Sequence, residues 1–247
     1  GDCVITATKA ADTNYLVATS PVTITIAKAT QATYTASKSA NTTYGSATVI
    51  TVSVTGGSGT GATTYASGNT GICTVNATSG VIAIVTAGDC VITATKAADT
   101  NYLVATSSVT ITIAKATQAT YTASKSADTT YGSSTVITVS VTGGSGTGAT
   151  TYASGNTAIC TVNATSGVIA IVTAGDCVIT ATKAADTNYL VAASSVTITI
   201  AKASQATYTA SKSANTTYGS ATTITVSVTG GSGTGATSYA SGNTAIC

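Results

Sequence analysis

Val and Ile alternate with Thr and Ser over short stretches of this chain. In "VTITI" (Val22 to Ile26) and "ITVSV" (Ile50 to Val54) the branched apolar side chains fall on one face and the hydroxyls on the other. Cys90, Ile92 and Ala94 share a face in "CVITATK". A period of two with β-branched residues predicts half-buried strands, because successive side chains of a strand point to opposite faces. No stretch has the 3.6-residue spacing of an amphipathic helix, and the Thr and Val content disfavours helix. Turn-forming clusters separate the alternating stretches: "GGSGTG", "ASGN", "NATSG", "TAGD" and "ADTN". The pattern predicts roughly seven short strands per unit and an all-β sandwich.

The unit repeats. "GDCVITATKAADTNYLVA" begins at Gly1, Gly88 and Gly175, a period of 87 residues. Overlapping copies differ only at the columns of Thr19, Pro21, Thr30, Asn41, Ala47, Val49, Thr64 and Gly71. That period is too long for one turn of a solenoid and suits a small domain strung in tandem. Residues 29–115 and 116–202 are read as two complete domains, joined at the "AKA" that follows each "VTITI". Residues 1–28 hold the closing strands of a partial domain and residues 203–247 the opening strands of another. The expectation is a window on a longer repeating polymer, in which the two partial domains of neighbouring copies complete each other.

Composition narrows the function. The chain has 247 residues and a net charge of +2, with nine basic side chains, all Lys, and seven acidic ones, all Asp. The lysines stand singly, so nucleic acid, which is bound through clustered Lys and Arg, is not an expected partner. The longest apolar run, Val81 to Val85, is far below the roughly 20 residues of a membrane-spanning helix. His, Glu, Arg, Trp, Phe and Met are absent. No catalytic residues and no cofactor are expected, because a nucleophile such as Cys would have no His to activate it.

"TYGSATVITVSVTGGSGTGATTYASG", the later "TAGDCVITATKAADTNY" and the closing "VTITIAKATQ" resemble the bacterial immunoglobulin-like repeats of large secreted surface proteins. The likeness runs through essentially every residue of each copy. It implies tandem Ig-like β-sandwich domains and an extracellular stalk, adhesin or fibre module, and it implies no catalytic residues. The loss of all Glu, Arg and Phe departs from charged relatives, so their binding functions do not carry over.

Four groups of residues are candidate sites. The glycine loop "VTGGSGTGATTYASG" (Val54 to Gly68) has the composition of a phosphate loop, but a strand-like stretch follows it and no Lys lies between Lys38 and Lys96. It therefore reads as a strand connection, since phosphate binding needs a helix N-terminus and a cation. Cys73 with Cys90, and Cys160 with Cys177, stand 17 residues apart, without the His or C-x-x-C of a zinc site. They are read as disulfides within each repeat, outside the reducing cytosol. Cys3 and Cys247 are half-pairs expected to meet across copies, with sulfurs about 2 Å apart if bridged. Asp99 and Asn101, which could supply two calcium oxygens, are read as turn caps, and no metal site is assigned.

Asn41, Asn76, Asn163 and Asn215 each sit in N-x-T, a glycan acceptor in a secreted protein and also a frequent triplet in a Thr-rich chain. The tyrosines are the only aromatics, so some must fill the core, and an exposed stripe of them would suit carbohydrate. Sandwich edges carrying little charge and only Pro21 to blunt them favour self-association. Two functions follow. One is a structural component of an extracellular filament or surface stalk. The other is an adhesin repeat region that binds carbohydrate or a host surface.

Overall fold

Every regular element of the computed structural model, which describes residues 1–247, is a strand. The chain opens with the antiparallel hairpin of β1 (Asp2–Lys9) and β2 (Ala18–Thr25), paired from Asp2↔Thr25 to Lys9↔Ala18. The first complete sandwich follows. Its strands are β3 (Tyr34–Lys38), β4 (Thr42–Thr43), β5 (Val52–Gly56), β6 (Thr63–Ser67), β7 (Cys73–Val75), β8 (Ile82–Ile84), β9 (Gly88–Lys96) and β10 (Ala105–Ala114).

One layer has the order β4-β10-β9-β6. Within it β10 and β6 flank β9 antiparallel, while β4 joins β10 in parallel. The other layer consists of the antiparallel pairs β3-β5 and β7-β8, linked by the bridge Thr51↔Val81. The chain crosses from one layer to the other between β3 and β4. The result is an immunoglobulin-like sandwich.

The alternation in sequence fixes which side chains enter the space between the layers. Cys90, Ile92 and Ala94 of β9 are wholly buried, and Val91 between them faces out. Ile111 and Ile113 of β10 meet Ala36, Val52, Cys73 and Ile82 from the opposite layer in one cluster. Burying each such aliphatic side chain stabilises the fold by about 1.5–3 kcal/mol. Tyr34, Tyr44 and Tyr65 pack on the rim of this cluster, so these tyrosines supply core volume that no other aromatic can.

The second copy repeats the pattern 87 residues on. Its strands are β11 (Tyr121–Lys125), β12 (Thr129–Thr130), β13 (Val139–Gly143), β14 (Thr150–Ser154), β15 (Cys160–Val162), β16 (Ile169–Ile171), β17 (Gly175–Lys183) and β18 (Ala192–Ala201). The sheet order β12-β18-β17-β14 and the buried Ile179, Ile198 and Ile200 correspond to those of the first copy. The chain closes with β19 (Tyr208–Lys212) and β20 (Val226–Gly230), paired from Tyr208↔Gly230 to Lys212↔Val226. In both terminal hairpins the positions that build the core elsewhere are open: Ile24 is 48% exposed where Ile111 is 0%, and Val226 is 54% exposed where Val52 is 2%.

The chain divides into two compact units. The first comprises Gly1–Thr122, Val141–Thr151 and Ala181–Ser194, and the second Ala123–Ser140, Tyr152–Thr180 and Ser195–Cys247. The first unit thus contains the first sandwich together with the loops of the second copy that meet it.

Candidate functional site

The glycine loop and the "ADTNY" turn, far apart in sequence, form one structure. Asp99 accepts the backbone N–H groups of Asn101 and Tyr102 on Oδ1, at 2.8 and 2.9 Å, and that of Thr60 on Oδ2, at 2.6 Å. The Ser58 N–H donates to Gln31 Oε1 at 2.6 Å, and the Gly57 N–H to the Thr33 carbonyl at 2.9 Å. The Gly57, Ser58 and Thr60 N–H groups of the loop are therefore taken by the protein itself, and strand β6 rather than a helix follows the loop. Gly56 explains why glycine is required there: its φ is +80°, and a Cβ would fall on the Thr33 carbonyl oxygen.

These donors hold the Asp99 carboxyl below the usual range, with the Asn101 N–H the largest cause and the Thr60 N–H next. In the second copy Asp186 is lowered to about 2, chiefly by the Thr147 N–H and then by that of Asn188. Each carboxylate is thus a turn cap saturated by amide donors. No three His, Cys, Asp or Glu side chains converge as a metal site would require.

The turn of the second copy has a further task. Within its own copy the stretch around Asn188 pairs with the entering chain: the Ala116 N–H donates to the Asn188 carbonyl and the Leu190 N–H to the Ala116 carbonyl, both at 2.8 Å. Gln118 Nε2 adds a bond to the Leu190 carbonyl at 3.0 Å. The outer side of the same turn meets the end of the first sandwich. Asn188 Oδ1 accepts the Ala87 N–H at 2.8 Å, and Lys115 Nζ donates to the Asp186 carbonyl at 2.5 Å. The rings of Tyr44 and Tyr189 stand edge to face, with centroids 5.6 Å apart and planes at 82°. The "AKA" stretch is therefore clamped by its flanks at this joint.

A disulfide joins Cys73 on β7 to Cys90 on β9, tying the two layers together, and another joins Cys160 to Cys177; both span 5.8 Å between Cα atoms. All four sulfurs are buried, whereas Cys3 and Cys247 are exposed and unpaired. Asn76 and Asn163 are exposed and cap their own turns, each accepting two backbone N–H groups through Oδ1. Asn41 accepts Lys38 Nζ and the Thr112 N–H. Asp128, which replaces it in the second copy, accepts Lys125 Nζ and the Thr199 N–H in the same way, and Lys125 holds its carboxyl low. Asn215 accepts Lys212 Nζ.

Of the joint residues, Ala87, Lys115 and Asn188 are absent from the sequence-based candidates, and Tyr44 is there only as one of the tyrosines read as core or as an exposed stripe. For Asn188 and Lys115 the signal was the recurrence of "ADTNYL" and of "AKATQ", the latter reading "AKASQ" at 201–205, which sequence reasoning assigned to a turn and a linker.

No family model matches the chain, and no curated protein sequence matches it. Among solved structures it is similar to Drosophila N-cadherin EC1-4, at 11% identity over 81% of this chain and 58% of that one, with a TM-score of 0.27. Drosophila N-cadherin EC1-3 is 14% identical over 63% of this chain and 61% of that one, with a TM-score of 0.26. A C-terminal fragment of intimin, solved with the intimin-binding domain of its translocated receptor, is 16% identical over 75% of this chain and 67% of that one, with a TM-score of 0.28. The chain spans less than two thirds of either cadherin fragment. The fold reading rests on the strand order above, and these likenesses add nothing to it.

Proposed function

We propose that this chain is a structural segment of an extracellular bacterial filament or surface stalk, built from tandem Ig-like domains at 29–115 and 116–202. The joint carries this reading. Two copies meet through a ring pair, a side-chain cap on a backbone N–H and a lysine on a carbonyl, all supplied by residues present in every period. A joint made from the repeat itself can be propagated, so length scales with copy number. The function is geometric rather than catalytic.

The exposed cysteines extend the reading. Cys247 holds the place of Cys73 in the repeat, and Cys3 that of Cys90. Cys247 of one copy pairs with Cys3 of another, the two thiols being oxidised as a disulfide such as oxidised glutathione is reduced to two thiols. Incubating the chain with oxidised glutathione and running it without reductant tests this. The expected result is a ladder in steps of 23.7 kDa whose links map to Cys3–Cys247. A chain that stays at its own mass under oxidant, while an isolated 87-residue repeat binds a glycan array, would favour the adhesin reading instead.

A further inference from the structure

Along the side of the first sandwich lies a blind groove of about 510 Å³. Its walls are strand β8 and the irregular residues 46–49 that lead from β4 to β5. One end is closed by the bridge Thr51↔Val81 and by the bond from the Ile82 N–H to the Ile50 carbonyl at 2.9 Å. The rings of Tyr44 and Tyr189 stand at the other end. The second copy has the counterpart, of about 410 Å³, and each of its lining residues stands 87 positions after one of the first. The groove is therefore a feature of the repeat.

Its walls are amphipathic and carry no Lys or Asp. Ile82 is buried and Ile84 half-buried on the floor, while Val49 is 68% exposed on the facing lip. The Asn76 N–H donates to the Val81 carbonyl, so the bonded pairs between β7 and β8 are Asn76↔Val81 and Thr74↔Ala83. Ile84, like Ile82, then turns its N–H and carbonyl away from β7 and into the groove, where no residue of 46–49 bonds to them. At the rim Ser46 Oγ accepts the Thr48 N–H at 3.2 Å, which leaves the hydroxyl protons of Ser46 and Thr48 to be donated.

These features select the occupant. An ionic ligand would meet no counter-charge. A wholly apolar one would strip water from the Ile84 N–H and carbonyl without replacing its hydrogen bonds. An extended peptide needs a groove open at both ends. A pyranose ring has an apolar C–H face for the Tyr44 ring and the aliphatic floor, and hydroxyls around its edge for Ile84, Ser46 and Thr48. The volume lies within the roughly 300–1,000 Å³ of small-molecule sites.

We infer that each complete copy binds a neutral hexose unit of a glycan in this groove, with Tyr44 or Tyr131 against the sugar's C–H face and Ile84 or Ile171 holding its hydroxyls. Repetition of the site along the chain gives avidity for a polymeric glycan that one groove alone would hold weakly. The inference goes beyond the structural reading, which needs no ligand, and stands or falls separately from it.

The test applies the full chain to an array of neutral hexose oligosaccharides, sialylated and sulfated glycans, and extended peptides. Retained glycans are then examined by saturation-transfer NMR, irradiating tyrosine ring protons, which no Phe, Trp or His overlaps in this chain. Neutral oligosaccharides should be retained, and their ring C–H protons should take up saturation from tyrosine. Val49→Asp with Val136→Asp, at positions each 68% exposed, should leave the melting point unchanged and weaken binding at least about tenfold, because the ligand would strip water from the new carboxylates. Tyr44→Phe with Tyr131→Phe keeps the ring and should keep the binding. Retention of acidic glycans alone or of peptides alone, no retention at all, or binding that Val49→Asp with Val136→Asp leaves unchanged would overturn the site.

Discussion

Replacing Cys73 and Cys90 together by Ala removes one inter-layer disulfide and leaves the identical pair Cys160–Cys177 as an internal standard. The cysteines are 17 residues apart, which closes a loop of about 18 residues in the unfolded chain. Chain entropy then assigns the crosslink about 3 kcal/mol at 25 °C. Both sulfurs are fully buried beside Ile92 and Ile82, so their loss also leaves a small void in the same core. In a domain of this size each kcal/mol shifts the melting point by about 4–8 °C, so the first copy should melt roughly 12–24 °C below the second. Differential scanning calorimetry of the double variant should show one transition moving down and one staying in place. Coincident transitions would mean that the disulfide does not constrain the copy that holds it.

Three further outcomes follow from the same structure. Ile111→Ala, at a fully buried position, should cost about 2–5 kcal/mol in urea unfolding, whereas Ile24→Ala, its counterpart in the open hairpin, should stay within about 0.5 kcal/mol in the dilute, unassembled chain. Gly56→Ala should lower the unfolding midpoint far more than Gly45→Ala. Both glycines have positive φ, worth about 1–2 kcal/mol, but only at Gly56 does a Cβ meet the Thr33 carbonyl. Asp186 titrates lower folded than unfolded, so its stabilising effect is fully present above about pH 4 and is lost as pH falls toward 2. Thermal scans should show the melting point dropping in that window, and Asp99→Asn with Asp186→Asn should lower it at neutral pH and flatten the drop.

The layers were legible because alternation acts locally. Cys90, Ile92 and Ala94 announce a buried face wherever a partner sheet exists, and the turn clusters mark where strands reverse. β4 left no such mark: Thr42 and Thr43 are too short for alternation, and only their parallel pairing with β10 makes them a strand. The joint was hidden for a different reason. Asn101 and Asn188 sit in identical stretches, in turns capped by Asp99 and Asp186, and the role of Asn188 shows only where a preceding sandwich is present to offer it the Ala87 N–H. Local sequence does not encode that neighbour. Ile24 and Ile111 differ in the same way, alike in pattern and unlike in burial. The glycine loop shows the converse. Its composition suggested an anion cradle, and the lone Asp99 carboxylate, 39 residues away in sequence from Thr60, is the anion that it holds.

Electron microscopy of the native material should show an ordered filament in which Ig-like domains follow one another, with the Asn–Tyr turn of each domain seated against the Tyr44-type ring and Ala87-type N–H of the one before. That seating should be the same within a chain and between chains. Separate particles without a filament, or successive domains that meet through different surfaces at each junction, would contradict it.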